Sequence, residues 1–298
     1  MSQTTRHSAR TTLKKLGGVF SLIMTTLLWG TSFAFIKLSV GEVDPYTYTF
    51  VRTLIASLAL SPLVLVKYAR RKLDYGSVKR GLLTGLAYST GLFLQAAGTA
   101  YIDPSTSAFI TGLSTIHVHV YTITVVKKYS WLDLLALVTA MVGLFILTSP
   151  SGGLGAGGLL VFSATFMWAL QIILISKYRD SSMLEFLLGT FLAGLLFAPL
   201  SLYSFPALTT EAVLYLVYLA LVCSVGATFF QVLGQRYVSA STAALIFLLE
   251  PVFATVFSVL MGLENVQLYK VSGGGLILLS LYLATVSEVK GQSKASEQ

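Results

Sequence analysis

Glu250 and Arg52 stand out first, because each is an ionisable side chain inside a long apolar run. A charge withdrawn from water is costly, so each needs a partner or a task. Glu250 has two readings: a carboxylate that takes up and releases a proton, or a structural group tied to a cation, with Arg52 as the candidate partner. Pro251 follows it and opens the hydrogen bond to the Phe247 carbonyl, which suits a hinge. Gln95 and Gln231 are amides in apolar surroundings, and each must hold either a solute or a neighbouring helix. Trp29 and Trp168 lie well inside their runs and are candidates to line a cavity, with packing the other reading. His117 and His119 suggest a metal site, but helix positions two apart point about 200° away from each other and cannot chelate one ion. Ser114, His117 and Tyr121 share one helical face; Thr115, His119 and Thr122 share another. The first is the expected cavity face. No metal, cofactor or catalytic set is expected, since no two carboxylates stand at helical i, i+3 or i, i+4 spacing within a span.

The elements that carry these residues follow from composition. The chain has 298 residues, 55% hydrophobic and 11% charged, with a mean hydropathy of +0.80. An ordinary soluble domain carries about 25% charged residues. That difference excludes a soluble enzyme, a nucleic-acid module and a disordered chain. The single cysteine, Cys223, excludes an intrachain disulfide. Ten apolar runs are long enough to span a bilayer: 18–40, 46–67, 79–101, 105–126, 131–149, 156–177, 183–203, 212–234, 241–262 and 268–287. They do not alternate as barrel strands would, so they are helices.

Basic residues orient the spans. Seventeen of the 20 Lys and Arg fall in the two tails and the even-numbered loops, among them Lys14, Lys67, Arg80, Arg179 and Arg236. The odd-numbered loops carry Lys270 with Glu42, Asp44, Asp103, Glu211 and Glu264. Both termini are therefore expected in the cytoplasm. Lys37, near the outer end of its span, is expected to snorkel to Glu42 or Asp44.

The chain also contains itself twice. At an offset of 136, Gln95, Gly98, Tyr101, Ser105, Thr106 and Ala108 match Gln231, Gly234, Tyr237, Ser241, Thr242 and Ala244. At 137, Thr53, Ala56, Leu58, Pro62 and Leu63 match Thr190, Ala193, Leu195, Pro199 and Leu200. At 139, Trp29 meets Trp168. Each unit holds five spans, an odd number, so the second enters the membrane upside down. The expected fold is an all-α integral membrane protein of ten helices in two inverted five-helix repeats. Residues 1–17 form a cytoplasmic tail, 18–149 the first repeat, 150–155 a linker, 156–287 the second repeat and 288–298 a second cytoplasmic tail. Gly153-x-Gly155-x-x-Gly158 formally fits a dinucleotide fingerprint, but it follows a helix and reads as linker. Gly81-x-x-x-Gly85 and Gly273–Gly275 read as faces for close helix packing.

Inverted repeats are an architecture of alternating-access transporters, with the solute site near midplane between the halves. Three stretches also resemble the drug/metabolite transporter superfamily in its EamA-like ten-helix branch. These are Leu28-Trp29-Gly30-Thr31-Ser32-Phe33 with Lys37, Phe50-Val51-Arg52-Thr53, and Leu249-Glu250-Pro251-Val252-Phe253-Ala254 with Gly262-x-Glu264. The resemblance spans nearly the whole chain. The fourth span departs from the pattern, with Thr115 where the family usually has a proline. The resemblance implies a secondary transporter, often an exporter of amino acids or other small metabolites, with some relatives exchanging sugar phosphates or nucleotide sugars.

The sequence reading is thus a multi-pass transporter in the plasma or inner membrane, not an enzyme. It moves a small organic solute, an amino acid being the first candidate on resemblance. Trp29, Gln95, Ser114, His117, Tyr121, Trp168 and Gln231 are the expected solute-binding residues, Arg52 and Glu250 the coupling or structural ion pair, and Pro251 the hinge. Its partners are the solute and the lipid bilayer, with no nucleic acid, in a monomer or homodimer. The competing readings are a membrane-embedded enzyme acting on a lipid-linked substrate and a passive channel. Saturation and counterflow separate a carrier from a channel.

Overall fold

The computed structural model describes residues 3–127, 130–148, 155–203, 205–263, 265, 268–269, 271–280 and 282–283. Among these the chain is helical, with no strand. The first five helical rods are α1 (Gln3–Glu42), α2 (Pro45–Ala69), α3 (Tyr75–Thr99), α4 (Pro104–Val126) and α5 (Trp131–Thr148). The second five are α6 (Gly155–Lys177), α7 (Met183–Tyr203), α8 (Thr210–Gln235), α9 (Ala240–Leu260) and α10 (Val271–Ser280). Stretches within α1, α2, α4, α6, α7, α8 and α9 are long and apolar enough to cross a membrane, and α5 and α10 contain shorter apolar helices. α3 runs for 25 residues and is richer in Gly, Ser and Thr.

The helix starts follow local chemistry. Asp44 caps α2 by accepting from the Tyr46 and Thr47 amides, with Pro45 at the position where a missing N–H costs nothing. Asp74 caps α3 through the Ser77 amide, and Thr209 and Ser239 cap α8 and α9. α1 departs from the expected boundary at residue 18, because its helix already begins at Gln3 and takes in the basic segment. At 40 residues it is about 60 Å long, twice a bilayer core. The expected second tail and residues 149–154, with Gly153 of the glycine-rich linker, lie outside the described residues.

The halves are related by inversion. Lys37, at the end of α1, donates to the carbonyls of Thr99, Ala100 and Ile102 at the end of α3, each at 3.0 Å. It therefore does not reach Glu42 or Asp44. Those carboxylates serve Thr209 and the α2 cap, while the unsatisfied carbonyls of a helix end suit a cation better. The equivalent corner, Ser176 at the end of α6 with Gln235 at the end of α8, is also hydrogen-bonded, at 2.7 Å. It lies at the opposite end of the bundle, where Lys67 of α2 pairs with Glu185 of α7 and Arg236 donates to the Ser181 carbonyl.

In lipid there is little hydrophobic drive between helices, so small residues set the close contacts. Gly98 of α3 faces Gly157 and Val161 of α6, and a methyl group there would come within 2.5 Å of the Gly157 carbonyl. Gly234 of α8 faces Gly18 and Leu22 of α1 in the same way, at 2.8 Å from the Gly18 carbonyl. These are one contact made twice, at the offsets of 136 and 139 read in the sequence. Gly81 and Gly85 bring α3 against the backbone of Phe186 and Thr190 in α7. Gly273 packs on Gly143 of α5.

Candidate functional site

Two helices break near mid-length at equivalent positions of the two repeats, and α7 tightens into a 3-10 turn over Ala193–Phe197. α4 consists of Pro104–Gly112 and Ser114–Tyr121, then a π-turn over Thr122–Val126. α9 consists of Ala240–Phe247 and Glu250–Leu260. The break residues Leu113 and Leu249 are again 136 apart. At both, the backbone tightens to i→i+3 bonds: Leu113 N–H to the Ile110 carbonyl at 3.0 Å, and Leu249 N–H to Ile246 at 3.0 Å. Pro251, the expected hinge, sits in the first turn of the new half-helix, where its ring is tolerated. Thr115 occupies the equivalent place in α4. Its hydroxyl donates at 2.9 Å to the Ala244 carbonyl, which Leu248 N–H has left by turning to Leu245.

Ser114 and Glu250 thus head the second half of each broken helix, and both line a central cavity. The lining is built from repeat-related pairs: Trp29 with Trp168, Ser32 with Gln171, Thr111 with Phe247, and Ser114 with Glu250. Arg52, Tyr88, Leu92, Gln95 and Ile172 complete it. The Trp29 and Trp168 rings lie 6.4 Å apart, and Tyr88 donates at 2.9 Å to its own counterpart, Ser224. The axis relating the halves therefore runs through the cavity. Trp29 also meets Phe247 at 5.3 Å, and Tyr88 meets Trp168 at 5.7 Å, so much of the wall is aromatic.

Charge breaks this symmetry. The counterpart of Glu250 is Ser114, and that of Arg52 is Gly189. Arg52 is held by Ser224, which accepts from Nε at 2.8 Å, and by the Tyr48 hydroxyl, which accepts from Nη1. Arg52 and Glu250 face the same cavity without an ion pair. Among the described residues, no hydrogen-bond donor reaches the Glu250 carboxylate.

A second asymmetry separates the two tryptophans. α8 widens into a π-turn over Leu219–Gly226, and its Cys223 carbonyl accepts from Trp29 Nε1 at 3.0 Å. The matching stretch of α3 is a regular α-helix whose carbonyls stay in the helical ladder. Trp168 Nε1 is buried there without a partner among the described residues.

Trp29, Gln95, Ser114, Trp168, Arg52 and Glu250, all singled out in the sequence, come together around the cavity. His117, Tyr121 and Gln231 are placed elsewhere. His117 hydrogen-bonds Thr165 at 2.9 Å and stacks on Phe166, while His119 is bonded to the Thr115 carbonyl. Tyr121 is seven residues beyond Ser114, about 10 Å further along the helix. Gln231 is fully buried in a reciprocal amide pair with Gln171, at 2.7 and 3.0 Å. Gln95 has Ser32 in that relation, which is too short to do the same, and Gln95 turns to Thr111 at 2.9 Å. Sequence reasoning missed Ser32, Tyr88, Thr111, Gln171 and Phe247, and the Tyr48–Ser224 cradle of Arg52. Applying the offset of 139 to Ser32, one helical turn from Trp29, would have found Ser32 and Gln171. Among the described residues, no three His, Cys, Asp or Glu side chains form a metal set.

A helical membrane bundle in which two broken helices meet at a central cavity is the architecture of a membrane transporter. The chain belongs to the EamA-like transporter family, whose model matches it twice, over residues 16–149 and 155–286. It is similar to two proteins of Archaeoglobus fulgidus, each described as an uncharacterized transporter. One is 27% identical, covering 92% of this chain and 87% of the relative; the other is 25% identical, covering 90% and 96%. An uncharacterized transporter of Clostridium kluyveri is 22% identical, covering 95% of this chain and 96% of its own. A solved structure, titled only as the crystal structure of a protein, superposes with a TM-score of 0.72 at 16% identity, covering 90% of this chain and 97% of that one. That last likeness concerns the fold alone.

Proposed function

We propose that the protein carries a small organic solute, an amino acid being the first candidate, across the membrane by alternating access, as an exporter or exchanger. The observation that carries this reading is the cavity on the axis, lined by four repeat-related pairs. Two inverted halves around such a cavity have two arrangements of similar energy, one open to each side. The equivalent breaks at Leu113 and Leu249 supply matching points of bending. Glu250, buried and without a partner among the described residues, is the candidate proton carrier. The basic loops favour a cytoplasmic placement of both termini in a plasma or inner membrane, in a monomer or homodimer.

The test is counterflow. Proteoliposomes are preloaded with a pool of amino acids and small metabolites, and labelled tracers are followed outside, with and without a pH gradient. Accelerated, saturable uptake of a tracer supports a carrier. Saturation without acceleration, or flux proportional to concentration, points to a channel. No flux of any tracer through folded protein counts against transport of these solutes.

A further inference from the structure

Arg52 is 2% exposed and lines the cavity. Its Nε and Nη1 are occupied by Ser224 and Tyr48, both neutral oxygens. Among the described residues, Nη2 has no partner and no carboxylate lies within 4.0 Å of the guanidinium. A guanidinium stays charged at any working pH. Away from water, two hydroxyl dipoles and the face of the Tyr48 ring, 5.6 Å from the guanidinium carbon, compensate that charge only in part, which is an expensive state to keep. The expense is explained if a visiting anion completes the site.

The rest of the lining narrows the anion. The rings of Trp29 and Phe247 supply an apolar wall beside the hydroxyls of Ser32, Thr111 and Ser114. A free inorganic anion would leave that wall unused. A carboxylate on an organic body uses both the wall and the free guanidinium nitrogen.

We propose that Arg52 anchors a carboxylate of the solute, so that the cavity selects carboxylic acids over their uncharged derivatives. The proposal rests on reading the cavity as the solute site. Tyr48 and Ser224 are then positioning residues that hold the guanidinium with Nη2 free.

The test uses the purified full-length chain and a panel of aliphatic, aromatic and amino carboxylic acids, each beside its primary amide. Binding is read from the concentration dependence of the melting temperature. The expected result is at least one acid bound about tenfold or more tighter than its amide. Arg52→Gln should bring that ratio to near one, and Arg52→Lys should retain part of it. A merely structural Arg52 would weaken acid and amide alike and leave the ratio unchanged. The proposal is overturned if no acid binds, if wild type holds amides as well as acids, or if Arg52→Gln keeps the preference. Should Arg52→Gln not fold, the wild-type ratio together with Arg52→Lys decides. Counterflow of the same panel separates the two ideas. Exchange without acid preference leaves the transporter standing and removes the anchor; binding with acid preference but no exchange does the reverse.

Discussion

Tyr88 donates a 2.9 Å hydrogen bond to Ser224, the residue that stands in its own place in the second repeat. Such a contact between equivalent positions falls on the axis that relates the halves. The same Ser224 oxygen accepts from Arg52 Nε at 2.8 Å. The single-copy cation is thus fastened at the point about which the two halves are related. A rearrangement of the halves that disturbs Tyr88 and Ser224 also re-aims the guanidinium.

Glu250→Gln keeps the shape of the side chain and removes its titration. If Glu250 carries protons with transport, the variant loses the pH dependence of tracer exchange while exchange at fixed pH persists. The measurement is counterflow across a series of pH values, with folding checked by melting temperature. An unchanged pH profile in folded protein rules out that role and leaves Glu250 a structural or solute-contacting carboxylate.

The two tryptophans should respond differently to the same substitution. Trp29→Phe and Trp168→Phe remove equal volumes, but the first also strips a donor from the Cys223 carbonyl. Trp29→Phe is expected to cost about 1 kcal/mol more, because the Trp168 N–H has no bond to lose. Denaturation of the two variants side by side measures the difference. Equal losses would mean that the 3.0 Å bond contributes nothing net.

Glycine substitutions separate packing from helix propensity. In α1 a methyl group on Gly17 meets nothing within 4 Å, so Gly17→Ala should be neutral or stabilise by up to about 1 kcal/mol. In α3 a methyl group on Gly85 would lie 2.2 Å from the Thr190 carbonyl. That oxygen belongs to backbone and cannot rotate away, so Gly85→Ala should destabilise by about 1–3 kcal/mol. A rise in melting temperature for Gly85→Ala would contradict the close approach of α3 and α7.

The Lys67–Glu185 pair is lopsided, with a 2.6 Å contact in which the Glu185 side chain is fully buried and that of Lys67 is 34% exposed. Ser182 also donates to the carboxylate, at 2.5 Å. Lys67→Met strands a buried anion with one hydroxyl for company. The double variant Lys67→Met/Glu185→Gln should recover part of the loss, giving a coupling of about 1–3 kcal/mol in a double-mutant cycle. Additive losses would show that Ser182 and nearby water suffice for Glu185.

Much of the fold was legible because bilayer physics leaves few options. The spans, their helical character and the five-helix repeat follow from run length and from recurring residues such as Gln95 and Gln231. What was hidden turns on side-chain reach and local backbone geometry. Gln231 does not face the cavity because Gln171 is long enough to pair with it, whereas Ser32 leaves Gln95 open. Lys37 goes to three carbonyls rather than to a carboxylate, since a helix end offers several acceptors at once. The π-turn at Leu219–Gly226, which turns a carbonyl towards Trp29, has no composition signature at all.

The paired glycine contacts, Gly98 on Gly157 and Gly234 on Gly18, have a further implication. Each half carries both faces of the joint, so the surface between the halves is self-complementary. A half-length chain would own everything needed to meet a second copy of itself inserted in the opposite sense. Arg52 and Glu250 are what such an antiparallel pair of identical halves could not reproduce, since it would hold each charge either twice or not at all. Joining the halves in one chain allows a cavity with one cation and one carboxylate inside a scaffold whose halves otherwise repeat each other.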